Sequence, residues 1–369
     1  LGGRTVAGRM VLVCIIVILC LGGCTSHKID AEGLEASQPV RSLSTGAERP
    51  DGSDVRAAMI DFLREQNLPE LESVEVWQND YGPGLKLTTA HYEVLTTLLR
   101  PVMLSRSPGF VESAYRAYNR QLPEPVETEP RFVIYLFADR TQWEDFTRDF
   151  AGEQAEIFCR IKAGAYYHQD ACVAYDIGPE RTFSVLGHEG WHQFNDRHFK
   201  FRLPSWLDEG VAMLFEAQNP EDGSFDFQPA DNAYRLNALR NTLERNGMMS
   251  LEELIATTPG DVLATDQTEA VMAFYSQAYA LVRFLRESRS GERLDTYHRL
   301  LADGLRGDWP LDGVSRKIAM DRSVPRNILW NHIVGLVLFQ EYVGDDFEPV
   351  EQEYLAFCRR IVADCPGDS

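Results

Sequence analysis

Apolar positions fall into two kinds of pattern along this chain. In the first half short runs with β-branched and aromatic content predominate. Residues 74–78, 91–97 and 131–137 (RFVIYLF) read as strands. A hairpin is predicted over 161–168 and 172–176, with Gln169-Asp170 as its turn. Helical spacing appears over 54–66 and 101–121, and Thr141-Gln142-Trp143-Glu144 reads as a capping box opening another helix. Pro179 and Glu180 mark the start of a further helix, and Pro204 with Ser205-x-x-Asp208 mark the next. Beyond them the spacing is almost wholly helical: 231–245, 250–256 (Ser250 and Glu253 as caps), 268–287, 291–301 and 325–343. The pattern predicts an α+β fold: a sheet-containing lobe over 56–200 and a mostly helical lobe over 201–369.

Two N-terminal segments stand apart. Arg4 and Arg9 precede an apolar run from Met10 to Leu21, too short to span a bilayer comfortably but suited to a signal-peptide core. It ends Leu21-Gly22-Gly23-Cys24, which resembles a bacterial lipobox. Residues 1–23 therefore read as a lipoprotein signal, with Cys24 as the lipidated residue; an uncleaved anchor helix is the alternative. Residues 24–55, rich in Ser, Gly, Glu and Pro, read as a flexible tether. Thr25 follows the cysteine, where the Asp that often retains lipoproteins in the inner membrane is absent. A lipid-anchored protein of the cell envelope, on the outer membrane, is the resulting expectation.

Composition narrows the partners. The 369 residues carry a formal charge of −20, which argues against a nucleic-acid partner, since phosphate binding needs Lys and Arg on one face. Outside the leader, Cys159, Cys172, Cys358 and Cys365 make an even number for an oxidising compartment. Their short separations favour Cys159–Cys172 and Cys358–Cys365 bridges, with free buried thiols as the other reading.

The chemistry concentrates at His188-Glu189-Gly190-Trp191-His192. On a helix, i and i+4 share a face, so both imidazoles can reach one ion, and Glu189 lies beside its open position. Two neutral nitrogen ligands and a carboxylate able to accept a proton from metal-bound water are what a zinc hydrolase needs. Two third ligands compete. Glu209 lies seventeen positions after His192, within Trp206-Leu207-Asp208-Glu209-Gly210; His198 stands ten after His188, at the spacing of metzincins, with Asn195 where their turn glycine falls. Asp208 and Glu216 are candidate acceptors for the outer imidazole protons, or else a helix cap and an exposed charge. Gly190 costs roughly 1 kcal/mol of helix propensity against Ala, which makes sense where a neighbour approaches closely. Arg235 and Arg240 read as solvated, or as partners of a substrate carboxylate.

These motifs carry a resemblance. Trp206–Ala212 with Glu216 resembles the WLNEG-A…E segment of aminopeptidase N-type gluzincins, and Tyr275-Ser276-Gln277-Ala278-Tyr279-Ala280-Leu281-Val282 resembles their Y-x-K-G…L segment. Gln277 and Ala278 depart from that pattern, and no GxMEN-type exopeptidase motif precedes the histidines. The chain is more similar to a bacterial family of peptidase-MA-like proteins with HEGWHQ, P-x-WLxEGxA and Y-x-Q-x-(W/Y)-ALV helices, over about 130–370. That resemblance implies a gluzincin, thermolysin-like catalytic domain with its active-site helix at the lobe junction. It implies one Zn²⁺ per chain on His188, His192 and Glu209, with Glu189 as general base and Tyr275 as oxyanion donor (Tyr279 as fallback, core packing as the alternative for either). The expected activity is a zinc metallopeptidase acting on peptide or protein substrates, more endopeptidase than aminopeptidase. A non-catalytic lipoprotein with a structural metal and a zinc hydrolase of a non-peptide bond are the rival readings.

Overall fold

A computed structural model describes residues 52–161, 164–265 and 267–364. The leader, Cys24 and most of the tether lie outside them. Among the described residues no helix is long and apolar enough to cross a membrane.

The first half comprises α1 (Gly52–Glu65), β1 (Ser73–Trp77), β2 (Gly84–Thr88), β3 (Tyr92–Thr96), α2 (Pro101–Asn119), β4 (Phe132–Phe137), α3 (Arg140–Ala151), α4 (Ala155–Phe158), β5 (Ala165–His168) and β6 (Ala171–Tyr175). The strands form one six-stranded mixed sheet in the order β1-β2-β3-β4-β6-β5. β3, β4 and β6 run parallel; the other neighbours pair antiparallel. Side-chain alternation sends Phe132, Ile134 and Leu136 of β4 into the main core and Phe137 into a second cluster with Trp143, Phe146 and Phe158. The sheet is thus covered on both faces.

α5 (Pro179–His198) then packs on the main-core face, followed by α6 (Ser205–Ala212) and a small hairpin of β7 (Gln218–Glu221) and β8 (Ser224–Phe227). The rest is helical: α7 (Ala233–Glu244), α8 (Leu251–Ala256), α9 (Pro259–Leu263), α10 (Thr268–Glu287), α11 (Leu294–Arg306), α12 (Gly313–Met320), α13 (Ile328–Trp330), α14 (Leu336–Tyr342) and α15 (Phe347–Ala363). The architecture is mixed α+β, with one buried core running from Leu63 in α1 to Ile361 in α15.

Several expectations need correction. α3 opens at Arg140 rather than at a Thr141 cap: the Asp139 carboxylate accepts the Gln142 N–H, and Glu144 pairs with Arg140 and Arg148 instead. α6 does open at Ser205 as expected, with Pro204 in the cap position and no side-chain capping hydrogen bond. The helix read over 325–343 starts at Ile328 and contains a π-helical turn, Asn331–Gly335, between α13 and α14. The Cys159–Cys172 bridge does not form. Cys172 faces α5, its Sγ 3.5 Å from Gln193 Oε1, whereas Cys159 ends α4 on the opposite face of the sheet. No disulfide could join them through the sheet. Cys358 is a buried free thiol, and its expected partner Cys365 lies outside the described residues.

Candidate metal centre

α5 begins at Pro179 behind Gly178, whose φ of +97° suits glycine, and carries Glu180 in its first turn at the positive end of the helix dipole. From Val185 to Asn195 every residue is buried. Gly190 is explained by a close approach. A Cβ there would lie 2.4 Å from the Tyr118 hydroxyl, which donates to the Gly187 carbonyl at 2.7 Å. Gly190→Ala should therefore lower stability. Overpacking costs about 1–3 kcal/mol, and loss of the Tyr118 hydrogen bond adds to it, against ~1 kcal/mol regained in helix propensity. Thermal unfolding checks this, and a melting temperature at or above that of the unaltered protein would contradict it.

His188 and His192 project from this helix toward Glu209 on α6. Among the described residues these three form a group whose candidate donor atoms all lie within 4.8 Å of one another. His188 Nε2 is 3.3 Å from Glu209 Oε2, and His192 Nε2 is 3.9 Å from it. Ligands 2.0–2.1 Å from one tetrahedral ion sit roughly 3.4 Å apart, so the spacing is of the right order. All three residues are almost completely buried.

The outer ring nitrogens are held. His188 Nδ1 lies 2.9 Å from Glu216 Oε1, and His192 Nδ1 lies 3.0 Å from Asp208 Oδ1. A carboxylate accepting each Nδ1 proton leaves the Nε2 lone pairs for a cation. The inner atoms, by contrast, find no well-aligned hydrogen bond among the described residues: His188 Nε2, His192 Nε2, Glu209 Oε2 and both carboxylate oxygens of Glu189. Buried polar atoms are seldom left so, because each costs about 1–3 kcal/mol. Three such donors within 4.8 Å of one another are what a cation would satisfy, so the residues present fit a metal ion.

Electrostatics agree. Burial pushes the Glu189 carboxyl up; the two histidines pull it back, and it settles at about 7. Burial disfavours a charged His188, but Glu209 and Glu216 outweigh it and raise its pKa to about 10. Glu216 is held well below the carboxylate range against its own burial, chiefly by Arg235.

Glu216 and Asp208 anchor wider networks. Arg235 grips Glu216 with two hydrogen bonds, Nε to Oε2 at 2.8 Å and Nη2 to Oε1 at 2.6 Å, and Asn232 Nδ2 adds a third at 2.9 Å. Arg235 is thus buried in an ion pair, neither solvated nor open to a substrate. Arg240 instead ties α7 to the Val362 carbonyl of α15. Asp208 is no helix cap: it receives His192 Nδ1, Asn195 Nδ2 at 2.6 Å and Arg326 Nη1 at 2.6 Å. Neither Arg326 nor Asn232 is foreshadowed by any local motif; Arg326 comes from a segment 118 residues beyond Asp208.

The remaining candidates are Tyr275, Tyr279 and His198. Tyr275 is buried, with the Arg235 guanidinium 5.3 Å over its ring, and so connects to the centre through Arg235 and Glu216. The Tyr279 hydroxyl donates to the Pro229 carbonyl and accepts from Arg283, which removes it as a fallback oxyanion donor. His198 also falls away from the centre. α5 continues unbroken through Asn195, so no turn swings His198 back, and its Nε2 meets Thr128 Oγ1 at 2.7 Å.

A cleft of about 760 Å³ reaches His192 and Asp208. Tyr167 and Asp170 line it from the β5–β6 hairpin, Arg202 and Arg322 from the helical half. Compared with known protein families and with curated proteins, the chain matches none.

Proposed function

We propose that this chain is a zinc-dependent metallopeptidase of the gluzincin kind, held in the cell envelope through a lipid on Cys24 and acting outside the cytoplasm. The observation that carries the reading is the convergence of buried donor atoms from His188, His192 and Glu209, with the buried Glu189 carboxylate close enough to feel the charge of all three. His188, His192 and Glu209 would hold the ion. When bound there, zinc acts as a Lewis acid, polarising a carbonyl and lowering the pKa of water toward neutrality. Glu189 accepts the proton of the attacking water and returns it to the leaving amine. Asp208 and Glu216 keep the two imidazoles in the neutral tautomer that a ligand requires. A purely structural site has no use for a buried carboxylate beside its ligands, which favours catalysis over a staple.

The cleft favours a peptide as substrate. β5 is the outer strand of the sheet, and its Tyr167 lines the cleft beside His192. An extended peptide can pair with such an edge through its own backbone. The test is to incubate the zinc-loaded protein with a mixed proteome digest and sequence the new termini. New termini that recur at defined positions and disappear with a chelator are expected. A digest left unchanged contradicts the proposal.

A further inference from the structure

Three arginines are buried among the described residues: Arg202, Arg235 and Arg283. Arg235 meets Glu216 at 2.6 Å, and Arg283 meets Glu287 at 2.7 Å. Arg202 has no such carboxylate. Its Nη1 donates to the backbone carbonyls of Asp321 and Val324, and its guanidinium carbon lies 5.6 Å over the Trp330 ring. Among the described residues no hydrogen bond engages Nε or Nη2, and the residue, 7% exposed, lines the cleft that reaches His192.

The surrounding charges do not neutralise it. Burial, then Arg326 and Arg322, bring its pKa down to about 9. Of the carboxylates along the cleft, Asp208 is taken by His192 and Arg326, Asp196 by Arg322, and Asp170 by Arg197, while the exposed Glu153 is not among the charges that bear on Arg202. What remains is a largely buried cation with no ion pair among the described residues, its two remaining nitrogens still reached by solvent, an arrangement that an arriving anion would stabilise. The unused Nε–Nη2 edge of a guanidinium matches a carboxylate with two parallel hydrogen bonds.

We propose that Arg202 receives a carboxylate of the substrate, so that the cleft selects peptides with an acidic side chain or a free C-terminus near the scissile bond. The inference rests on the peptidase reading above. Arg322, more exposed and on the same wall, strengthens the field without making the central contact.

Matched peptides test it on the zinc-loaded Glu189→Gln protein, with binding read by fluorescence anisotropy. One pair differs as internal Glu against Gln, the other as C-terminal carboxylate against carboxamide. A charge-assisted pair predicts ~10–100-fold tighter binding of the carboxylate member, and which pair shows it identifies the source. Arg202→Met should bring that ratio close to one, and Arg322→Gln should reduce it several-fold. The peptide pairs on the unaltered Arg202 keep the test valid even where Arg202→Met fails to fold. Peptides that bind equally within both pairs overturn the inference, and cleavage of those peptides by the wild-type protein would leave the peptidase reading standing. A protein that neither binds nor cleaves any of the four overturns both.

Discussion

Glu189→Gln should lower peptide hydrolysis by about 10²–10⁴-fold, the usual contribution of a positioned general base, while the protein keeps its zinc. The substitution preserves shape and hydrogen-bonding length but removes the ability to take a proton. Glu189 is not among the three residues whose donor atoms converge, so metal content should not change. Among the described residues its oxygens have no side-chain partner, and the Tyr167 backbone contact is one that the amide oxygen of Gln can keep. Cleavage kinetics alongside elemental analysis of the same preparation check the prediction. Hydrolysis at the wild-type rate refutes the general-base role; loss of zinc together with activity would place Glu189 among the ligands.

Arg235→Leu is expected to cost about 3–5 kcal/mol of stability, as breaking a buried ion pair does when one charge is left behind. The pair is well shielded: the side chains of Arg235 and Glu216 are 5% and 9% exposed. Without Arg235, Glu216 keeps only Asn232 and His188 as hydrogen-bond partners among the described residues, and its carboxylate becomes costly to bury. The His188 orientation loosens with it, so zinc affinity should fall ~10–100-fold, as disturbance of a ligand's outer partner commonly does. Denaturant unfolding of the metal-free protein measures the first effect, and competition with a chromogenic chelator measures the second. Adding Glu216→Gln to Arg235→Leu removes the stranded charge and should restore part of the stability. A loss below about 1 kcal/mol for Arg235→Leu alone would show that the pair does not hold this wall of the centre.

Long periodic segments were legible in the chain, and short or tertiary features were not. α10 runs over Thr268–Glu287 as its apolar spacing predicts, and the Ser250–Glu253 capping box opens α8 as expected. The Gln169-Asp170 turn also forms, both residues taking positive φ. β2 escaped notice because its five residues follow Gly82-Pro83, which reads as loop; yet Leu85 and Leu87 are wholly buried in the core. At α3 the capping box read at Thr141 gives way to the aspartate one position ahead of Arg140, whose carboxylate takes the Gln142 N–H. The cysteine pairing failed for a topological reason, since sequence separation says nothing about which sheet face a side chain takes.

At the centre, the spacing of His188, Glu189 and His192 is a local property of one helix and could be read directly. Glu209 came from its surrounding motif, and the structure brings it to the two histidines. The roles of Asp208 and Glu216 depended on burial, which turns a possible cap and a possible surface charge into acceptors for His192 and His188. Arg235, Arg326 and Asn232 enter through packing of distant segments, so no spacing rule could have announced them. Arg202 shows the reverse case: its significance lies in a carboxylate that is missing.

The most direct test is the zinc content of three purified proteins: wild type, Glu209→Ala and His198→Ala. One ion per chain in the wild type and in His198→Ala, with loss in Glu209→Ala, is the predicted result. Zinc retained by Glu209→Ala, or lost from His198→Ala alone, would contradict a centre built from His188, His192 and Glu209.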